Sequence, residues 1–354
     1  MDWSEKTILI TGGTGSFGQK FAALLLEKYR PKKLIVFSRD EQKQYCMREG
    51  GFNSSNIRYF IGDVRDKDRL YRAFYGVDIV VHAAAMKQVP TSEYNPFEAI
   101  KTNVIGAANV IDAAIDCGVE RVIALSTDKA TNPINLYGAT KLCADKLFIA
   151  GNAYSGARKT RICVARYGNV VGSRGSVIPY FGERRKTGVI PVTDERMTRF
   201  WITLEHGARF VVHCLEQMHG GEVFVPKIPS MKIYDLARVI APHCRIEITG
   251  IRPGEKLHEV MISSDDARHT VELPDFYVIQ PDFPWWDKMN WKAGLPCAEG
   301  FQYSSDANSH WLTHEEMEEM IANLGLLGHE SRHEERNFLR GTGGRRMVPA
   351  LPQS

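Results

Sequence analysis

Short apolar runs alternate with amphipathic segments along the first half of the chain. Five runs have the length and the β-branched content of buried strands. They are Thr7-Ile-Leu-Ile10, Lys33-Leu-Ile-Val-Phe37, Ile57–Ile61, Val77–His82 and Val122–Leu125, and residues 161–166 form a sixth. Between them, residues 18–29, 66–75 and 99–117 show the apolar spacing of helices. Apolar strands that alternate with helices predict a parallel sheet covered on both faces.

The pattern changes after residue 167. Glycine and proline become frequent, the elements shorten, and two further helices are predicted over 204–218 and 233–240. We therefore predict an α/β fold in which residues 1–167 form a Rossmann-type doubly wound parallel sheet, completed by later segments. Residues 168–327 are predicted to form a smaller mixed C-terminal lobe. Residues 328–354 are polar and glycine-rich with five arginines, and we predict a disordered tail there.

Composition limits the classes of protein that this chain can belong to. Of its 354 residues, 44% are hydrophobic and 25% are charged, and the net charge is +3. These values are ordinary for a globular protein and predict no nucleic-acid or membrane partner. No apolar run approaches the ~20 residues of a membrane-spanning helix, and the N-terminus lacks the apolar core of a signal peptide. Seven scattered cysteines without a CxxC motif favour reduced thiols and a cytoplasmic location.

Two pairs of histidines have the i, i+4 spacing that can present two metal ligands on a helix. They are His310 with His314 and His329 with His333. Neither pair forms an HExxH motif, and no third ligand is placed near them. We therefore predict no metal site.

A glycine-rich segment joins the first predicted strand to the first predicted helix. Thr11-Gly-Gly-Thr-Gly-Ser-Phe-Gly18 contains the spacing Gly-x-x-Gly-x-x-Gly. Glycines permit a tight turn and close approach of a pyrophosphate, and the helix N-terminus offers free N–H groups to its phosphates. We predict a dinucleotide site whose contacts here are Gly12, Thr14, Gly15, Ser16, Phe17 and Gly18.

Residues after the next strands bear on which dinucleotide binds. Ser38 and Arg39 follow the second strand, where a hydroxyl and a cation suit the 2′-phosphate of NADP. Asp40 keeps NAD open, because an acid near this position can bind the ribose 2′-hydroxyl. Asp63 and Val64 follow the third strand and are placed to contact the adenine. The other predicted cofactor contacts are Ala83, Ala84, Ala85 and Lys87, with Tyr137 and Lys141.

Titratable side chains cluster after the fifth predicted strand. Ser126-Thr-Asp-Lys129 is followed by Tyr137-Gly-Ala-Thr-Lys141. Tyr137 and Lys141 are spaced i, i+4 and share one helical face, so the ammonium can lower the phenol pKa and make the phenol a base. Asp128 and Lys129 add an acid and an amine. The predicted catalytic residues are Thr127, Asp128, Lys129, Tyr137 and Lys141.

Several sequence blocks, in this order, resemble the extended short-chain dehydrogenase/reductase superfamily: TGGTGSFG, HAAA, STDK and YGATK. Longer blocks resemble its inverting UDP-N-acetylglucosamine 4,6-dehydratases from about residue 5 to 325, among them HAAAMKQVP, ALSTDKATNPINLYGATKL, RYGNVVGSRGSVIP and GIRPGEKLHEVM. The resemblance implies a Rossmann sheet with a smaller substrate lobe. It also implies a homo-oligomer, with dimers assembled into hexamers.

The same resemblance implies a reaction, the first step of pseudaminic acid biosynthesis. Tyr137 takes the proton of the sugar 4-hydroxyl, and the C4 hydride passes to tightly bound NADP⁺, which is regenerated in every turnover. Asp128 is the acid for the C6 oxygen and Lys129 the base at C5, after which the hydride returns to C6. The product is UDP-2-acetamido-2,6-dideoxy-β-L-arabino-hexos-4-ulose. Because Asp128 should raise the pKa of Lys129, we expect desolvation and the nicotinamide charge to offset it.

UDP-N-acetylglucosamine is the substrate that the resemblance implies, and the cleft and the smaller lobe supply its contacts. The implied residues are Lys87, Asn169, Arg174, Thr193, Arg199, Arg252 and Glu255. Arginine suits the diphosphate because its guanidinium is planar and always charged.

Other hypotheses stay open at this point. A retaining 4,6-dehydratase would favour a carboxylate at position 129, and a simple epimerase would not need the Asp128–Lys129 pair. A non-catalytic NADP-binding regulator commonly lacks Tyr or Lys of the Tyr-x-x-x-Lys motif, whereas both are present here. A protein-binding scaffold would leave the STDK segment unexplained.

Overall fold

The computed structural model describes residues 1–156 and 158–322, and its largest feature is a ten-stranded sheet. In this sheet and in three smaller ones, the strands are β1 (Thr7–Thr11), β2 (Lys33–Ser38), β3 (Ile57–Ile61), β4 (Ile79–His82), β5 (Arg121–Thr127), β6 (Arg161–Tyr167), β7 (Asn169–Val170), β8 (Val189–Val192), β9 (Thr198–Ile202), β10 (Val223–Pro226), β11 (Ser230–Lys232), β12 (Arg245–Ile248), β13 (Val260–Ile262), β14 (Thr270–Glu272), β15 (Phe276–Ile279), β16 (Leu295–Pro296) and β17 (Tyr303–Ser304). Seven neighbouring strands run parallel in the order β3-β2-β1-β4-β5-β6-β10. β15, β14 and β16 extend this sheet in antiparallel pairing. The predicted Rossmann-type doubly wound sheet is confirmed.

Helices cover both faces of this sheet. The α-helices are α1 (Ser16–Leu24), α2 (Glu41–Glu49), α3 (Lys67–Phe74), α4 (Val89–Tyr94), α5 (Pro96–Ile100), α6 (Gly106–Asp116), α7 (Leu136–Tyr154), α8 (Val177–Arg184), α9 (Leu204–Gln217), α10 (Ile233–Ile240), α11 (Ser264–Ala267) and α12 (His314–Ala322). π-Helical turns span Leu25–Tyr29 and Lys101–Ile105, and 3₁₀ turns span Trp3–Glu5, Asp128–Ala130, Arg185–Thr187 and Lys288–Trp291. The helix predicted over 99–117 is therefore divided, because Pro96 starts a short helix and a π turn precedes α6.

Two separate hydrophobic cores flank the sheet. On one face α3, α6 and α7 pack on the side that holds Leu9, and on the other α1 and α9 pack on the side that holds Ile8 and Ile10. Successive residues of a strand point to opposite faces, so each central strand feeds both cores. This is why the central strands are apolar throughout rather than alternating.

A third hydrophobic core lies in the second half of the chain. It includes Ile190, Trp201, Leu236 and Met317, all of which are buried. Around it lie a three-stranded sheet (β7, β9, β11) and the parallel pair β8–β12. Other segments of this half, β10 and β14 to β16, return to the main sheet. Residues after 167 therefore contribute both to the main sheet and to a core of their own.

Some features predicted from sequence concern residues outside the described ranges. The predicted tail over 328–354, with His329 and His333, lies beyond them. Within residues 1–156 and 158–322, no helix combines the length and apolar character needed to span a membrane. Nor do the described histidine, cysteine, aspartate and glutamate side chains form a cluster of three or more that could hold a metal ion.

Candidate active site

A cleft of about 700 Å³ lies along the carboxyl ends of β1 to β6. The strand order reverses between β1 and β4, which is where open α/β sheets bind ligands. All the predicted cofactor residues line this cleft: Gly12, Thr14, Gly15, Ser16, Phe17, Gly18, Ser38, Arg39, Asp63, Val64, Ala83, Ala84, Ala85, Lys87, Tyr137 and Lys141. The structure thus brings them together as one surface, although they span 130 residues of sequence.

The floor of the cleft is bare backbone. Gly12 has φ +66°, and a Cβ at this position would lie 2.9 Å from the backbone of Ala84. A side chain there would be strained and would also displace the segment after β4. α1 begins at Ser16 immediately beyond this turn, so its free N–H groups face the same space. The cradle suits a pyrophosphate group.

The end of β2 carries two cations and an acid. Arg39 Nη1 lies 3.7 Å from Asp63 Oδ2, and the Arg39 side chain is exposed. Asp40 caps α2 by accepting from the Lys43 amide at 2.9 Å, and it also pairs with Lys43 Nζ at 2.9 Å. The acid that kept NAD open is thus engaged by its own helix. Lys43, which the sequence argument missed, lines the cleft beside Arg39.

β5 delivers the titratable cluster to the cleft. The Thr127 hydroxyl donates to Asp128 Oδ1 at 3.0 Å, and Lys129 Nζ donates to the same oxygen at 3.0 Å. Asp128 is fully buried, whereas Lys129 is partly exposed to the cleft. Tyr137, near the start of α7, lines the same cleft, and the Thr127 hydroxyl acts to lower the pKa of its phenol. Three of the five predicted catalytic side chains, Thr127, Asp128 and Lys129, are therefore linked by hydrogen bonds beside Tyr137.

Gly138 allows α7 to approach this group. A Cβ at Gly138 would collide with the Lys129 carbonyl oxygen, which is a backbone atom and cannot rotate away. The Asn135 side chain caps α7 by accepting from the Gly138 amide at 2.8 Å. The glycine between Tyr137 and Lys141 is thus required by the contact between α7 and the turn that holds Lys129.

We expect Gly138→Ala to lower turnover at least tenfold and to lower the melting temperature, because α7 must move away and take Tyr137 with it. Thermal melts and steady-state kinetics measure this. Gly182→Ala is the matched control, since Gly182 lies in α8 with no atom within 4 Å of a new Cβ. The two variants behaving alike would contradict the steric argument.

Burial dominates the protonation of Tyr137. It raises the pKa of the phenol to about 12, although Lys129 and the Thr127 hydroxyl act to lower the pKa. Lys141 instead donates from Nζ to the Leu125 carbonyl at 2.7 Å. In the protein without cofactor desolvation thus outweighs the groups that lower the phenol pKa, and the prediction that Lys141 and the nicotinamide charge make this phenol acidic stays a prediction. Burial also lowers the pKa of Lys141 itself, and Asp145 opposes that effect.

Lys129 is held between two carboxylates. Its Nζ lies 3.0 Å from Asp128 Oδ1 and 3.1 Å from Oε1 of Glu259, whose side chain is 2% exposed. Burial would lower the pKa of Lys129, but the two carboxylates outweigh burial and the net shift is upward. Desolvation alone therefore does not offset Asp128, and the expectation that it does so together with the nicotinamide charge stays a prediction. The physical reason that desolvation does not suffice is the second carboxylate.

Glu259 is the residue of this group that the sequence did not indicate. It directly precedes β13 and is separated from Lys129 by 130 positions. A glutamate in Leu257-His-Glu-Val260 has no local spacing that places it beside a lysine. Glu259 lies in GIRPGEKLHEVM, one of the segments that carry the family resemblance. That resemblance, together with the position of an acid at the start of an apolar strand, was the signal that could have identified this residue.

The implied substrate residues divide into two sets. Lys87, Asn169 and Arg174 line the cleft, and Asn169 Oδ1 accepts from Lys129 Nζ at 3.4 Å. Thr193, Arg199, Arg252 and Glu255 do not line it. Arg252 and Glu255 form an exposed ion pair at 3.1 Å, from a loop of the smaller lobe. Their predicted contacts with the diphosphate and ribose stay predictions.

Arg199 requires a correction. It is buried, and its guanidinium donates to the backbone carbonyls of Thr198 at 2.7 Å and Leu257 at 3.1 Å. Its Nε lies 3.7 Å from Glu259 Oε1. In this structure the side chain supports the segment that carries Glu259 instead of facing the cleft, because a buried guanidinium requires acceptors and the nearby carbonyls supply them.

Comparisons with known proteins agree with this geometry. A model of the polysaccharide biosynthesis protein family matches residues 8–281. The chain is 56% identical over 328 residues to the inverting UDP-N-acetylglucosamine 4,6-dehydratase of Campylobacter jejuni, which covers 90% of this chain and 98% of that protein. It is 44% identical to a UDP-glucose 4-epimerase of Rickettsia conorii, over 78% of this chain and 84% of that one.

A solved structure resembles this chain over nearly its whole length, beyond the main sheet. The crystal structure of Pen from Bacillus thuringiensis superposes with a TM-score of 0.85 at 38% identity, covering 92% of this chain and 100% of that one. The similarity thus includes the smaller lobe as well as the sheet. This chain belongs to the polysaccharide biosynthesis protein family and, within it, to the inverting UDP-N-acetylglucosamine 4,6-dehydratases, which are hydro-lyases.

Proposed function

We propose that this protein removes water from UDP-N-acetylglucosamine and inverts C5, using NADP that stays bound through the turnover. The product would be UDP-2-acetamido-2,6-dideoxy-β-L-arabino-hexos-4-ulose, the first intermediate of pseudaminic acid biosynthesis. The observation that carries the proposal is the hydrogen-bonded group of Thr127, Asp128 and Lys129, which lies with Tyr137 at the cleft. Its 56% identity to inverting dehydratases supports the same substrate.

The residues around the cleft fit a dinucleotide with a 2′-phosphate. The backbone floor at Gly12 leaves space that a Cβ would fill, and Arg39 and Lys43 place two cations at the end of β2. When bound, the oxidised nicotinamide would accept a hydride and return it, and its positive charge would favour the phenolate of Tyr137. Asp40 is engaged by Lys43, which favours NADP over NAD.

Removing both cations tests the choice of cofactor. We expect Arg39→Ala with Lys43→Ala to weaken NADP binding about tenfold or more, because charge-assisted bonds to a phosphate are lost. NAD binding should change little, and calorimetry with both dinucleotides separates the two effects. Lys32→Ala, an exposed lysine before β2, is the control. Equal losses for NADP and NAD would mean that the pair does not recognise the 2′-phosphate.

The chain's own groups can perform the proton transfers. Tyr137 takes the proton of the C4 hydroxyl as the C4 hydride leaves, which gives a ketone and acidifies the C5–H bond. Lys129 then removes the C5 proton, and Asp128 gives a proton to the C6 oxygen, so that the C6–O bond breaks and water departs. After a hydride reaches C6, C5 takes up a solvent proton on the face opposite Lys129, so that the configuration at C5 is inverted, and Lys129 stays an ammonium.

The resting pair must change its protonation before elimination. With the pKa of Lys129 raised, the lysine is an ammonium and its partner Asp128 a carboxylate. One proton passing along the 3.0 Å hydrogen bond from Lys129 Nζ to Asp128 Oδ1 produces the amine base and the carboxylic acid together. A single short transfer thus prepares both catalytic groups.

The proton balance closes through solvent. After a turnover Lys129 holds the C5 proton as an ammonium, Asp128 is a carboxylate, and Tyr137 holds the proton of the C4 hydroxyl. Solvent supplies the new C5 proton and takes one proton from Tyr137, so the starting protonation of the three groups is restored.

The retaining alternative fits the site less well. A carboxylate at position 129 would lie beside two buried acids, Asp128 and Glu259, and would repel both where the Lys129 ammonium attracts them. The regulator hypothesis also has less support, because Tyr137 and Lys141 both reach the cleft. An epimerase remains the competing enzyme, in view of the relative from Rickettsia conorii.

Incubation with UDP-N-acetylglucosamine and NADP⁺ in deuterated water tests the proposal. We expect a 6-deoxy-4-keto sugar nucleotide of L-arabino configuration with deuterium at C5. A D-xylo product would instead show a retaining dehydratase, and a 4-epimer without loss of water would show an epimerase. Absence of any product would favour the regulator.

A further inference from the structure

Glu259 lies at the centre of a buried cluster of charges. Besides Lys129 at 3.1 Å, its carboxylate lies 3.7 Å from Arg199 Nε and 3.8 Å from Lys256 Nζ. Lys256 also donates to the Thr131 carbonyl at 2.6 Å, just beyond the turn that carries Lys129. Three cations from three segments therefore converge on one acid.

The backbone of Glu259 is held as firmly as its side chain. Its amide donates to Ser305 Oγ at 2.9 Å, and its carbonyl accepts from the Ser305 amide at 2.8 Å. Among the residues that the structure describes, no group hydrogen-bonds Oε2 of Glu259, nor Oδ2 of Asp128. Each of the two buried carboxylates beside Lys129 thus has one oxygen that accepts no hydrogen bond from the described residues. Buried polar atoms are normally hydrogen-bonded, so such atoms are a sign of a functional site.

We propose, on the basis of the proposed function, that Glu259 is a positioning residue of the elimination step, which anchors Lys129 and orients its amine lone pair. An ammonium has three N–H bonds, of which Lys129 donates to Asp128 and Asn169, while Nζ forms an ion pair with Glu259 at 3.1 Å. When the proton toward Asp128 leaves, the Asn169 oxygen and the Glu259 carboxylate hold the two remaining N–H bonds on their side of Nζ. The lone pair of the amine therefore points toward Asp128. In the proposed function Asp128 gives its proton to the C6 oxygen. C5, which loses its proton to Lys129, is bonded to C6 and so lies on the same side.

The charges around Lys129 determine the pH dependence of this step. Asp128 lies on its own turn, Tyr137 on α7, Glu259 next to β13, and Arg199 and Lys256 complete the set. Asp128 and Glu259 raise the pKa of Lys129, whereas Arg199 lowers it. Removing the charge of Glu259 therefore lowers the pKa of Lys129, and the lysine becomes neutral at lower pH.

Substitutions at Glu259, compared in single turnovers, test the proposal. We expect Glu259→Ala to form reduced nicotinamide to the wild-type extent while C5 deuteration and product formation fall about 100-fold. Glu259→Asp should recover part of this loss. Glu259→Gln keeps an acceptor but no charge, so the rising limb of C5 deuteration against pH should move to lower pH by about one unit or more. Glu222→Gln, at another buried glutamate far from the cleft, is the control.

The outcomes distinguish failure of the proposal on Glu259 from failure of the proposed function. If oxidation and elimination fall equally in Glu259→Ala, or if Glu259→Gln keeps the wild-type pH profile, Glu259 is merely structural and the inference is overturned. Should Glu259→Ala fail to fold, the Asp and Gln variants decide through the same measurements. Absence of dehydration in the wild-type protein would overturn the proposed function itself.

Discussion

Lys129→Met is expected to stop product formation while leaving the first oxidation intact. The variant removes the base at C5, and general acid–base groups contribute about 10²- to 10⁴-fold to rate. Substrate should therefore convert bound NADP⁺ to its reduced form once, and the 4-keto intermediate should remain on the enzyme. Absorbance of reduced nicotinamide and mass spectrometry of the quenched sugar nucleotide measure the two parts.

The same substitution removes the cation between two buried acids. Asp128 and Glu259 would then face each other, and breaking a buried ion pair from one side costs about 3–5 kcal/mol. Asp128→Asn combined with Lys129→Met removes one acid as well, so we expect it to recover stability without recovering product. Lys227→Met, whose ion pair with Glu272 lies away from the cleft, is the control. Wild-type rates in Lys129→Met would rule out the lysine as the base.

Tyr137→Phe is expected to abolish both halves of the reaction. It keeps the buried ring and removes only the hydroxyl, so the fold should persist. Without a base for the C4 hydroxyl neither reduced nicotinamide nor product should form, and the loss should again reach about 10²- to 10⁴-fold. The contrast with Lys129→Met is diagnostic, because only the lysine variant should accumulate reduced cofactor.

The acidity of Tyr137 also predicts a binding effect. Burial holds the pKa of its phenol at about 12 in the protein alone, so the phenolate must be favoured by charge that arrives with the cofactor. We expect NADP⁺ to release a fraction of a proton on binding near neutral pH, and Tyr137→Phe to reduce that release. Tyr71→Phe, on α3, serves as control. Proton release that is unchanged in Tyr137→Phe would assign it to another group.

Much of the fold was predictable because its signals are local. Each strand of the parallel sheet from β1 to β6 falls on a predicted apolar run, and the helices α9 and α10 begin and end within one residue of their predicted bounds. The exceptions are the helices predicted over 18–29 and 99–117, in each of which a π turn replaces part of the α-helix. Periodicity cannot detect such a turn, since a π turn inserts a residue without interrupting the apolar face. A cytoplasmic location and assembly into a homo-oligomer stay predictions.

The sequence by itself determined which groups meet at the cleft. Parallel strands end at one edge, so Gly12, Ser38, Ala83 and Thr127 had to converge there once the strand order was known. Tertiary structure alone decided what those groups can do. It placed Glu259 against Lys129, directed Lys141 to a carbonyl and buried Arg199. Protonation depends on the charges and the burial within a few ångströms, and the decisive charge comes from Glu259, 130 positions from Lys129, a spacing that no local pattern encodes.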